Sequence, residues 1–275
     1  MPHVPQEIIA AILDQFVGPD HDESWKTCAL VSTSFRPYSQ KLLFSSITIH
    51  AEDPSLSRLR AVLESNPHLG MHVQKLNLSI TPRNLSGILE TIIVDTLARF
   101  PRVTSCIWSI WGQGYLPPFQ LPSQETFRTR LYQFLRLPSL VKVAIHGAEP
   151  ALVQFFASCE QLRSLAVNVT SDYYEEPGIF PKAASISATR LTPASGQLEA
   201  LFIHQNCIPT LIHSFTSQSS RLHVSRPRKL ALIGSFGSGE EGSCKASQQL
   251  IDLCAESLEE LAVGKDVTLP LSGPH

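Results

Sequence analysis

The chain has no CxxC pair and no cysteine with a histidine at ligand spacing, although it carries six cysteines among 275 residues. That excludes the common zinc frameworks. Scattered as they are, Cys28, Cys106, Cys159, Cys207, Cys244 and Cys254 are expected to be reduced and mostly buried thiols, since a free cysteine behaves as a small hydrophobe. Nor is there an excess of charge of either sign. The 22 basic and 24 acidic residues leave a formal net charge of −2, so nothing global draws the chain to nucleic acid or to an anionic membrane. Charged residues make up only 17% and apolar ones 43%, which suits one large globular domain or two unequal ones.

Long apolar runs are absent as well. Even LETIIVDTLARF is broken by charges, so no membrane span is expected. The start, MPHVPQEIIAAILDQF, lacks a cationic region followed by an uninterrupted apolar stretch and carries Glu7 where an export signal tolerates no charge. The expected location is therefore cytoplasmic, nuclear or both. The N-x-S/T sequons at Asn77, Asn84 and Asn168 carry no weight without a secretory route.

Signatures of catalysis are missing too. No GxSxG, HExxH or P-loop occurs, the histidines are dispersed, and the acidic DYYEEP (172–177) lacks the spaced ligands of a calcium loop. The string GSGEEG (237–242) satisfies GxGxxG after the strand-like KLALIG. However, Glu240 and Glu241 bring like charge into the turn that would cradle a pyrophosphate, and Gly234 already separates the strand end from the first motif glycine. A loop is expected there; a nucleotide-binding enzyme or hydrolase stays as an alternative reading. Neither cofactor nor metal is expected.

What is present is pattern. From Pro5 to Val17 the residues Ile8, Ile9, Ile12, Leu13, Phe16 and Val17 spread over about half a helix circumference, wider than one core contact needs, until Gly18 and Pro19 stop the helix. A second helix is expected from the cap candidate Asp22, turning Trp25, Cys28, Ala29 and Val31 inward. Pro37 cannot sit inside it, so a third begins near Ser34 with Tyr38, Leu42 and Leu43, and SITIH then alternates as a strand.

Beyond residue 50 a helix and a short strand recur. The strands are VQKLNL (73–78), VTSCIW (103–108), LVKVAI (140–145), LRSLAV (162–167), LEALFI (198–203), PRKLAL (227–232) and LEELAV (258–263), their central anchors 22 to 37 residues apart. Helices fall between them: one opens at Asp53-Pro54 with Leu56, Leu59, Val62 and Leu63 on one side, others carry Leu85 to Phe100 and Phe127 to Leu135. Neither element can bury its apolar face without the next unit, so the expected fold is an irregular α/β solenoid with a curved parallel sheet, following a small three-helix unit. The division is 1–49 and 50–275.

VPQEIIAAILDQF followed by TCALVSTSFRPYSQKLLFSSITI resembles an F-box of the F-box-like proteins that occur in large fungal sets, over about residues 4 to 49. The units behind it resemble the irregular leucine-rich-repeat-like regions that often follow such boxes, although the Asn expected after the LxxLxL core stands in place only at Asn206. The resemblance implies docking on the Skp-type adaptor of a cullin-RING ubiquitin ligase of the SCF type, with no residue doing chemistry, or a scaffold role outside a ligase. It assigns docking to Val4, Pro5, Ile8, Ile9, Ile12, Leu13, Leu30, Val31 and Phe35. Because side chains alternate along a strand, the residues between the anchors face away from the core. Of these, Lys75, Asn77, Lys142, His146, Asn168, Phe202, His204 and Lys229 are the expected contacts for an unidentified protein target with some acidic character.

Overall fold

The computed structural model describes residues 5–15, 22–50, 54–80, 87–110, 125–146, 156, 159–168, 196–216, 222–223, 227–234 and 241–264. Three short helices open the chain: α1 (Gln6–Leu13), α2 (Asp22–Val31) and α3 (Arg36–Leu43). Pro5 caps α1 rather than lying inside it, its carbonyl accepting from the amides of Ile8 and Ile9 at 3.1 and 3.3 Å. The third helix starts at Arg36, two residues past the expected Ser34, with Pro37 in the first turn where a missing N–H costs nothing. Tyr38 Oη donates to Asp14 Oδ1 at 2.7 Å and ties α3 to the end of α1. Helix α1 ends at Leu13 with Asp14 as its C-cap, short of the expected Val17; Phe16 and Val17 themselves lie outside the described residues.

Only Phe44 and Ser45 separate α3 from β1 (Ser46–His50). Then follow α4 (Ser55–Ser65), β2 (Lys75–Ile80), α5 (Gly87–Leu97), β3 (Ser105–Ile110), α6 (Glu125–Leu135), β4 (Lys142–His146) and β5 (Ser164–Asn168). The chain continues through β6 (Gly196–Gln197), β7 (Ala200–His204), α7 (Ile208–Thr216), β8 (Leu222–His223), β9 (Lys229–Ile233), α8 (Glu241–Cys254) and β10 (Glu260–Gly264). Every strand expected from the sequence is present. The two-residue pair β6 and β8, too short to leave a pattern, is additional.

Eight strands form one parallel sheet in the order β1-β2-β3-β4-β5-β7-β9-β10, which is chain order with no reversal. A doubly wound sheet reverses its strand order at a switch point. Steady progression with a return between strands is instead the winding of a solenoid, in which each unit contacts its neighbours. The seam between units repeats. The carbonyls of Ser45, Gln74, Thr104, Val141, Arg163, Glu199 and Arg228 each accept two amides from the start of the next strand, at 2.8–3.1 Å.

In this register the anchors stack in two rows. Ile47, Leu76, Cys106, Val143, Leu165, Leu201, Leu230 and Leu261 make one; Ile49, Leu78, Trp108, Ile145, Val167, Ile203, Leu232 and Val263 the other. Between β2 and β9 both rows are buried against helix residues such as Leu56, Leu63, Ile93, Leu97, Leu131, Leu135, Leu211 and Leu250. Each such side chain contributes on the order of 1.5–3 kcal/mol. Close approach between units is built in at Gly70, in the 3-10 turn Pro67–His72, where a Cβ would lie 2.1 Å from the Arg99 carbonyl oxygen. Val62, expected on the inward side of α4, is 41% exposed, because Leu56, Leu59 and Leu63 already fill the face turned to the sheet.

The last unit departs from expectation. Leu261 and Val263, read as core anchors, are 48% and 54% exposed, since β10 ends the stack and no further described unit covers it. Four cysteines, Cys106, Cys159, Cys207 and Cys254, are buried and Cys244 is exposed, all of them free thiols. Burial pushes the Cys106 thiol up to about 12 and that of Cys254 up to about 11, so both stay protonated at neutral pH.

Candidate functional site

Two surfaces concentrate the residues singled out in the sequence. The first is the three-helix unit. In α1 the apolar arc divides into adjacent stripes, each an i, i+4 pair on one side of a helix. Ile9 and Leu13 are fully buried, and α1 packs on α3, whereas Ile8 is 51% and Ile12 43% exposed. The width noticed in the sequence is thus one stripe for the chain's own core and one for water. Ile9 and Leu13, included in the docking set, have no surface left with which to touch a partner, because the three-helix unit needs them to hold its own helices together.

Elsewhere in the three-helix unit Leu30 of α2 is 83% exposed, Pro5 is exposed and Phe35 half-buried. Trp25, Cys28 and Ala29, expected to point inward, are also half-buried. Val4 and the Val31 side chain lie outside the described residues. The exposed apolar members of the docking set are therefore Pro5, Ile8, Ile12 and Leu30.

The second surface is the face of the sheet opposite the helices. Register aligns its positions in three rows. The first runs Ser46, Lys75, Ser105, Lys142, Ser164, Ala200, Lys229, Glu260. The second runs Thr48, Asn77, Ile107, Ala144, Ala166, Phe202, Ala231, Ala262. His50, Ser79, Ser109, His146 and Asn168 make up the first part of the third row, and His204, Ile233 and Gly264 the last part. The positions contributed by β1 and β3 were not in the expected target-binding set; the alternation in SITIH, and in VTSCIW the same offset from the anchors Cys106 and Trp108 that serves the other strands, is the signal that finds them.

Lys75, Lys142 and Lys229 are exposed; Asn77, His146, Phe202 and His204 are half-buried. Asn168 is placed by its backbone pairing with His146, and its side chain lies outside the described residues. The alanines Ala144, Ala166 and Ala231 are buried, flush with the backbone between strands about 4.8 Å apart. Partial burial holds the His146 imidazole below its ordinary range.

The charges on this surface are unevenly partnered. Lys229 Nζ donates to Glu260 Oε1 at 2.7 Å, and one position before the strands Arg228 meets Glu259 at 2.7 Å while Arg163 lies 4.0 Å from Glu199. Arg228 is accordingly held above its usual value, first by the hydrogen bond to Glu259 and then by that carboxylate's charge. Lys75 and Lys142 have only serines beside them in register: Ser46 and Ser105 flank the one, Ser105 and Ser164 the other.

Among the described residues no group of three His, Cys, Asp or Glu side chains could hold a metal ion, and no helix is long and apolar enough to cross a membrane. Residues 237–240 of GSGEEG lie outside the described residues, and Glu241 already belongs to α8. No protein-family model matches the chain, and no curated protein matches it.

Proposed function

We propose that the chain is a non-catalytic adaptor of the F-box kind, docking through its three-helix unit on a Skp-type adaptor of a cullin-RING ubiquitin ligase and presenting a protein target on the open face of its sheet. The observation that carries this reading is the divided helix α1, whose second isoleucine stripe stays in water after the first has satisfied the core. A partner groove that covered Ile8, Ile12 and Leu30 would gain on the order of 1 kcal/mol or more from each, in proportion to the area still exposed. A few such anchors dominate most interfaces. The resemblance of residues 4 to 49 to the F-box pattern supplies the partner's identity. Tethering would do the rest, turning the encounter of target and ubiquitin-charged enzyme into an intramolecular event.

The test is co-purification of the full chain with the Skp-type adaptor and cullin, comparing wild type with the double variant Ile8→Asp, Ile12→Asp. Both side chains are already half in water, so the variant should stay folded, its melting temperature lowered by no more than about 4–8 °C, while capturing no adaptor. Capture undiminished by the two aspartates overturns the reading. Capture of the adaptor without cullin assigns the chain to a scaffold role outside a ligase.

A further inference from the structure

We propose that the open face selects acidic segments of protein targets, through one anion-binding locus that spans β2, β3 and β4, with Lys75 and Lys142 as its two cations and Ser105 between them. This rests on the adaptor reading for its biological setting but not for its chemistry. On the first five strands no position of this face carries a carboxylate, and the cations have serine hydroxyls as their only in-register neighbours. At the far end the pattern inverts, because Lys229 and Arg228 are each held by a glutamate from the adjacent strand.

Geometry favours a shared ligand. Lys75 and Lys142 lie two strand spacings apart, about 10 Å between their backbones. An anion over Ser105 is then within reach of both four-carbon stems. Asn77 and the half-buried Ile107 in the next row offer an amide and an apolar floor beside that point, the mixture a peptide side chain and its neighbours need. A polyanion would need free cations repeated along the whole face, and here Glu260 takes up Lys229, leaving Lys75 and Lys142 as the two lysines of the row without an ion pair among the described residues, in a chain of net charge −2. An acidic peptide segment with a carboxylate or phosphate at its centre fits better than RNA.

The experiment uses the full chain and three random peptide libraries with a fixed central serine, glutamate or phosphoserine. The wild type should retain the glutamate or phosphoserine library at least ten-fold over the serine library, and whichever of the two is retained more names the anion. Lys75→Ala with Lys142→Ala should lose that preference by ten-fold or more with an unchanged melting temperature, whereas Lys229→Ala should keep it. Equal retention of the serine library, an unaffected double variant, or a single-stranded oligouridylate bound in preference to every peptide overturns the proposal. Adaptor capture by the same wild-type chain separates the two readings: if it captures no adaptor yet selects anionic peptides, only the adaptor reading fails. Adaptor captured without any peptide preference sinks the anion site alone.

Discussion

Ile8 and Ile9 are the same residue, one position apart on one helix, yet the structure gives them opposite tasks. Ile9 is completely buried and Ile8 is 51% exposed. Truncating a fully buried isoleucine to alanine removes its transfer free energy and leaves a cavity, typically about 2–5 kcal/mol. Truncating Ile8 forfeits only the half already buried, about 1 kcal/mol from a side chain worth roughly 1.5–3 kcal/mol when fully covered. At about 2–4 °C per kcal/mol for a chain of this size, Ile9→Ala should lower the melting temperature by roughly 4–20 °C and Ile8→Ala by a few degrees at most. Adaptor binding should rank the other way, measured below the transition of both variants by titration calorimetry. Equal thermal losses would mean that α1 does not divide into two stripes. A larger affinity loss for Ile9→Ala, in a variant shown to be folded, would refute the assignment of Ile8 to the outer one.

Two further outcomes follow from the packing and the titrations. Gly70→Ala should destabilise the chain by roughly 1–3 kcal/mol, because its Cβ would press on the Arg99 carbonyl, and backbone cannot yield as a side-chain tip can; a raised melting temperature, as expected where alanine merely stiffens the unfolded chain, would contradict it. His72 and His146 are both held below their ordinary value, chiefly by burial. The unfolded chain therefore binds more protons than the folded one just below pH 6.5, and the stability these neutral rings contribute is present above that pH and lost as pH falls through the folded values. His72→Gln with His146→Gln should flatten the fall in melting temperature between pH 7.5 and 5.5, and an unchanged slope would show that neither ring is responsible.

The eight strands were legible because every unit repeats a local rule, two apolar anchors at alternate places behind a mostly polar position, and a parallel stack needs little else. Which stripe of α1 would be covered was not, since Ile8, Ile9, Ile12 and Leu13 are chemically alike and only the position of α3 chooses among them. The far end of the stack was misread for a related reason. Leu261 has the same local pattern as Leu230, and nothing within LEELAV reveals that no described neighbour follows. On the open face the lysines were visible in the sequence but their partners were not. Lys229 and Glu260 are 31 residues apart in the chain and become neighbours only through register.

Two residues, Phe44 and Ser45, join the three-helix unit to the first strand, and the Ser45 carbonyl is already bonded to the amides of Gln74 and Lys75. Such a junction has no slack. Whatever grips α1 also aims the sheet, so a cargo held over Ser105 would travel in a fixed direction relative to the grip, as on a bracket rather than a leash.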